Sequence, residues 1–372
     1  FRTTIHPTML LFRRAHKIAQ ANLQRQALRT LYHSCQISSS ASLSAFTNST
    51  KTTTPHHHHQ SSYKKSFSTT TSTTTSTMSP SSATVHGLFH STTSTMTYIV
   101  TDPTTLSTLI IDSVLDYDSS SGRTSNTHSE SVIQYCTEHK LNVEYILESH
   151  VHADHLTGAQ YLKSTYPNAK TGIGANVTKV QKVFSDIFNY TADDLKTDGS
   201  QFDVLFQDGD TFQLGELEVR VLNTPGHTPA CVCYVVGMDA VFTGDTIFMP
   251  DFGTARCDFP GGSSSSLYTS IKRLYDELPD DTRVYVGHDY QPGGRELLFQ
   301  TTIGEEKSSN KQLKGDTSED EFATWRSERD GQLGMPKLLL PSIQVNLRGG
   351  EFPKAESNGV SYLKIPINFV GK

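Results

Sequence analysis

Beyond residue 97 the chain alternates short apolar runs with amphipathic stretches of longer period, and the two periods separate strands from helices. Residues 98–100 and 108–114 are expected as short strands, the second closed by Asp112 and the acidic pair Asp116 and Asp118. Residues 129–139 follow as a helix capped by Ser129, and residues 143–149 as a buried strand. Residues 154–166 are expected as a helix that Pro167 stops, 171–175 as a strand and 177–188 as another helix. The grain then changes. Residues 202–206, 211–214, 217–223, 230–236 and 239–243 form successive strands parted by Asp-Gly, Gly-Glu and Gly-Met turns. A helix over 266–277 and a strand over 283–286 restore the first alternation. Two sheets, each with helices on its outer face, make an α/β protein built as a four-layer αββα sandwich.

Composition divides the chain. Residues 1–101 hold no Asp or Glu but nine Lys or Arg, which leaves 23 basic against 38 acidic residues downstream, a balance of −15. Residues 36–96 are dominated by Ser and Thr and hold too little apolar surface to offset ordering entropy, so they are expected to be disordered. The acid-free start, with Arg13, Arg14, Arg25 and Arg29 among scattered apolar positions, has the composition of a mitochondrial transit peptide, and the matrix is the expected location; translation from Met96 would instead leave a cytoplasmic protein. The expected division is therefore a leader over 1–95 and a catalytic domain over 96–372, about 275 residues and within range for one α/β unit. No apolar run reaches the length of a membrane span. The acidic balance argues against nucleic acid as a partner. A homo-oligomer stays open. The tract His56 to His59 and Cys35 fall in the leader, and Cys136, Cys231, Cys233 and Cys257 have neither metal-ligand spacing nor a disulfide framework.

Candidate chemistry sits at strand ends. His150-Val151-His152-Ala153-Asp154-His155 packs three histidines and a carboxylate into six positions after an apolar run. Imidazole nitrogen and carboxylate oxygen are the donors that hold Zn, Fe and Mn, so a metal site is expected there. His227 follows a strand on a Pro-Gly turn, Asp245 follows another in Thr243-Gly244-Asp245, and His288 a third in Gly287-His288-Asp289-Tyr290. Of the seven histidines after residue 101, five lie at these loci, and packing alone gives no reason for that placement.

This ordered set, His-x-His-x-Asp-His, Pro-Gly-His-Thr, Gly-Asp-Thr and Gly-His, resembles the metallo-beta-lactamase superfamily, whose fold is the αββα sandwich reached above. The glyoxalase II and persulfide dioxygenase branches are the most similar, because Thr254-Ala255-Arg256-Cys257-Asp258-Phe259 resembles the Arg-x-Asp-Phe signature of the dioxygenases. Residues 336–350 resemble the extended tail of bacterial-type members. The resemblance implies one Fe(II) held by His150, His227 and Asp245, with glutathione persulfide and O₂ as substrates. It further implies that His152, Asp154, His155 and His288 either orient those ligands or, in a hydrolase holding two Zn, take part in binding both metals. Arg256 is the candidate for a substrate carboxylate, with an ion pair to Asp258 as the competing role, and Tyr290 for the thiol or glycyl end of the tripeptide.

Overall fold

The computed structural model describes residues 82–237 and 239–367. The leader segment with its histidine tract and Cys35 lies outside the described residues. The first sheet has six strands in the order β1-β2-β3-β6-β8-β9: β1 (Thr84–His90), β2 (Thr95–Thr101), β3 (Ser107–Ile111), β6 (Asn142–Leu147), β8 (Lys170–Gly174) and β9 (Val204–Phe206). The second is a six-stranded run of β10 (Thr211–Leu214), β11 (Leu217–Asn223), β12 (Val232–Val236), β13 (Ala240–Phe242), β14 (Arg283–Tyr285) and β15 (Gln300–Thr302). A small third sheet joins β4 (Val114–Asp118) to β5 (Arg123–Ser125) and β7 (Leu156–Thr157).

Alternation along each strand decides the layers. On β2, Met96, Tyr98 and Val100 enter a core shared with Val232, Tyr234 and Val236 of β12, while Ile99 points the other way. On β12 the intervening Cys233 and Val235 join a separate core. The shared core therefore lies between the two sheets, as period-two side chains require. Ile99 packs in the layer that holds Val132 and Cys136 of α1 (Thr127–Glu138) and Leu162 of α2 (Ala159–Thr165). Cys233 and Val235 meet Leu267, Ile271 and Leu274 of α4 (Ser264–Glu277). α3 (Val177–Phe188) covers a further core around Ile173. The αββα order expected from sequence is present. Among the described residues no helix is long and apolar enough to cross a membrane, and Cys136, Cys231, Cys233 and Cys257 are buried free thiols.

Three expectations need correction. The folded unit begins before residue 96, because residues 84–90 form β1, paired antiparallel to β2 from Thr84↔Thr101 to His90↔Thr95. Val85 and Phe89 pack on the inter-sheet core and Leu88 on the other face, so a strand pattern was present inside the Ser/Thr-rich stretch. α1 begins at Thr127, and Ser129 does not cap it: its hydroxyl is buried and donates to the Val114 carbonyl at 3.0 Å. The first-turn amide of His128 is instead met by Asp116 of β4 at 3.1 Å. The helix expected over 154–166 is shortened to α2, because residues 156–157 pair with β4 as β7.

Past β15 the chain adds α5 (Ile303–Ser309), α6 (Glu319–Asp330) and α7 (Leu339–Asn346). α7 buries Leu339 and Ile343 beside Val151 and Ala153, and Val345 beside Leu115 and Leu156. The tail that resembled an extended form is thus part of the fold.

Candidate metal centre

Strand direction gathers the chemistry. β3 and β6 run parallel, β13 and β14 run parallel, and β11 runs the same way as β13 because each is antiparallel to β12. Their C-terminal ends deliver Asp112, residues 148–155, His227, Asp245 and His288 to one edge of the sandwich. Close backbone approach is built in. Gly244 sits at φ +47°, and a Cβ there would fall 2.2 Å from the Ser149 hydroxyl, so only glycine lets this turn lie against the histidine loop.

The ligand atoms of His150, His227 and Asp245 lie within 4.8 Å of one another, and all three residues are buried. Asp245 Oδ2 is 3.9 Å from His150 Nε2 and 3.7 Å from His227 Nε2. Burial, reinforced by neighbouring imidazoles, holds His150 well below the usual histidine range, and burial lowers His227 as well, so both present neutral rings. Their tautomers are fixed from behind. His227 Nδ1 donates to the Arg256 carbonyl at 2.7 Å, which leaves Nε2 as the lone pair. His150 Nδ1 meets the Ser149 hydroxyl at 3.0 Å, and that hydroxyl donates to Asp112 Oδ2 at 2.7 Å.

A second cluster adjoins the first. His152, Asp154 and His155 also bring ligand atoms within 4.8 Å of one another. His288 Nε2 stands 3.3 Å from Asp245 Oδ1 and 3.5 Å from Asp154 Oδ2, while its Nδ1 donates to the Ser94 carbonyl at 3.1 Å. Burial opposes charge on His288, but Asp245 and Asp154 outweigh it and raise its affinity for a proton. His155 Nδ1 is 3.2 Å from Asp154 Oδ2. Burial opposes charge on Asp154 too, yet His288 and His155 hold it well below the usual carboxylate range.

Two residues that sequence reasoning did not assign support the loop from beneath. Asp112 accepts from the Ser149 amide at 2.7 Å and faces His152 Nε2 at 3.1 Å, and Glu148 approaches the same nitrogen at 3.2 Å. Against the cost of burial, these carboxylates raise His152 well above its ordinary range. The metal-free ring therefore carries a proton on Nδ1, which has no partner among the described residues and which an ion bound there would displace. The signal for Asp112 was its place at the end of β3, where it had been read only as closing a strand.

The donors fit a cation. His150 Nε2, His152 Nδ1, His155 Nε2 and Asp245 Oδ1 are buried without hydrogen-bond partners, and unpaired buried polar atoms of this number are costly unless an ion meets them. Nitrogen and oxygen donors without thiolate suit Fe, Zn or Mn.

The remaining candidates separate. Arg256 Nε and Nη2 make the two parallel bonds of a bidentate grip to Asp258, each 2.6 Å, and Nη1 donates to the Gly334 carbonyl at 2.8 Å. The grip expected for a substrate carboxylate is therefore already made within the chain. What Arg256 gives the site directly is its carbonyl on His227. Tyr290 stands at the mouth, 44% exposed, its ring stacked on His288 at 5.5 Å and against Phe252 at 4.7 Å. A narrow apolar cleft beside His227 is lined by Val151, Ala153, Phe184, Phe259 and Ile343.

The family model described as the metallo-beta-lactamase superfamily matches residues 93–288, from β2 to the last histidine of the site. The chain belongs to the metallo-beta-lactamase superfamily. It is 54% identical to "Glyoxylase B2" of Dictyostelium discoideum over 73% of this chain and 92% of that protein. It is 28% identical to the human protein named "Persulfide dioxygenase ETHE1, mitochondrial", over 71% of this chain and 87% of the relative. The crystal structure of ETHE1 from Myxococcus xanthus superposes with a TM-score of 0.57 at 30% identity, covering 72% of this chain and all of that one. Membership accounts for a metal-dependent enzyme with the donor set described above.

Proposed function

We propose that the chain is a non-haem Fe(II) persulfide dioxygenase that converts glutathione persulfide, O₂ and water to glutathione and sulfite. The observation that carries this reading is the buried set of two neutral imidazoles and one carboxylate, His150, His227 and Asp245, with ligand atoms within 4.8 Å of one another. Two imidazoles and one carboxylate would hold an ion while leaving it accessible to further ligands. Fe(II) held there would supply electrons to O₂, chemistry that Zn(II) lacks. The chain's own residues prepare the site: the Arg256 carbonyl and the Ser149 hydroxyl aim the two imidazoles, and His288 Nε2 stands 3.3 Å from the second oxygen of Asp245. The net charge of such a site with Fe(II) is positive, which favours an anionic persulfide sulfur. Tyr290, exposed at the mouth, contacts the thiol carrier, and the Arg256–Asp258 pair holds the wall around His227. The relatives named persulfide dioxygenase support the reading. A mitochondrial matrix location belongs to the same proposal, supported by the acid-free leader and tested by import into isolated mitochondria.

A second reading, a glyoxalase II-type thioester hydrolase with two metals, is favoured by the His152, Asp154 and His155 cluster beside His288 and by the similarity to "Glyoxylase B2". The deciding experiment compares O₂ uptake with glutathione persulfide against lactoylglutathione hydrolysis on one preparation, with metal analysis. One iron per chain and stoichiometric sulfite support the dioxygenase. Two zinc ions with thioester hydrolysis and no O₂ uptake overturn it.

A further inference from the structure

The superfamily match ends at residue 288, yet the loop that carries four of the site's side chains is completed from beyond that point. Residues 150–155 have no regular secondary structure, so their peptide groups lack ladder partners and must be satisfied in another way. Asn346, the last residue of α7 and 4% exposed, satisfies three groups in this region. Its Nδ2 donates to the carbonyls of His152 and His155, each at 2.8 Å, and its Oδ1 accepts from the Thr157 amide at 2.9 Å. A primary amide has two donor hydrogens and one acceptor oxygen, and here all are spent on one six-residue span. The helix that presents it is anchored by Leu339 and Ile343 in one core and Val345 in another.

We propose that Asn346 is a positioning residue for the metal: by clamping the peptides on either side of Asp154, it sets the directions of His152, Asp154 and His155. The inference rests on reading these residues as a metal site and is independent of which reaction the metal serves. Side chains on a free loop would have to be ordered by the ion itself, at the expense of affinity; an amide on a fixed helix orders them beforehand.

The test uses the full chain, stripped of metal and titrated with Co(II), read by its visible absorption bands and by competition with a chromophoric chelator. N346A and the nearly isosteric N346D both lose the two donors. Each is expected to bind Co(II) about 10- to 100-fold more weakly, the range measured for outer partners of metal ligands, with altered bands. In the metal-free proteins, amide exchange in 150–157 should quicken while β2 and β3 stay protected. The control is Q344A on the same helix: Gln344 is buried and bonds Tyr190 and Lys364, away from the loop, so its loss lowers Tm without moving Co(II) affinity beyond about twofold. Co(II) affinity within about twofold of the parent in N346D overturns the proposal, as does an equal loss in Q344A. If N346A does not fold, N346D and Q344A still decide. A parent chain that binds no Co(II) would instead refute the metal reading itself.

Discussion

Replacing Asp112 with alanine tests whether the site is built from its supports or only from its ligands. The carboxylate is 2% exposed and accepts from the Ser149 amide at 2.7 Å, the Ser149 hydroxyl at 2.7 Å and His152 Nε2 at 3.1 Å. Its loss strands the charged His152 ring on Glu148 alone, frees the serine that fixes the His150 tautomer and opens a hole at the end of β3. Removing one partner of a buried ion pair costs about 3–5 kcal/mol, and the stranded Ser149 donors keep the estimate at the upper end of that range. At roughly 2 °C per kcal/mol for a unit of this size, Tm of the metal-free protein should fall by about 8–10 °C. Metal affinity should fall by about 10- to 100-fold, because both His150 and His152 lose their orientation. The isosteric Asp112→Asn keeps an acceptor for Ser149 but opposes an amide N–H to His152, so affinity should fall with a smaller loss of Tm. Thermal unfolding in chelator, followed by iron titration with a chromophoric competitor, measures both quantities. An unchanged iron affinity in D112A at undiminished Tm would refute the reasoning.

Other expectations follow from the same geometry. Glu306 on α5 is buried and pushed up to about 8 by burial, against the hydrogen bond from Asn310 at 2.7 Å, so it folds with its proton on while the unfolded chain releases it near 4.5. The unfolded state then binds fewer protons between those values, and this contribution to stability is full below pH 4.5 and lost as pH rises toward 8; urea titrations of Glu306→Gln should lack that slope. Gly244→Ala must tolerate φ +47° and displace the Ser149 hydroxyl, so it should lower both Tm and metal content, measured by unfolding and elemental analysis. Tyr290→Ala, at an exposed ring outside the donor set, should raise KM for the proposed glutathione persulfide substrate several-fold and leave bound metal unchanged. Saturating metal at about 100 times its Kd should stabilise the fold by about 2.7 kcal/mol over the chelated form, read as a rise in Tm.

The architecture, and the placement of His150, His227 and Asp245 at strand ends, were legible because their signals are local. A period of two marks Tyr98, Val100 and Ile99 as opposite faces of one strand, and a histidine or aspartate directly after such a run must lie at that strand's end. Strand β1 was missed because its apolar residues are few and sit in a Ser/Thr-rich stretch; pairing along the whole of β2 orders it. The helix expected from Asp154 gave way at Leu156 and Thr157 to pairing with β4, a partner some forty positions upstream that no local propensity reveals.

Tertiary structure alone decided which side chains serve the ligands. The sequence marked a histidine-rich loop as a candidate metal site, and offered Arg256 either a substrate or Asp258. Only packing showed the guanidinium spent on Asp258 and its carbonyl turned to His227. Only packing brought Asp112 under Ser149 and His152, 37 and 40 residues away in sequence, and Asn346 to His155, 191 residues away. The physical reason is range. Backbone periodicity fixes where a residue lies on its own strand, whereas hydrogen bonds between distant segments exist only after the sheets have stacked and both partners have left water.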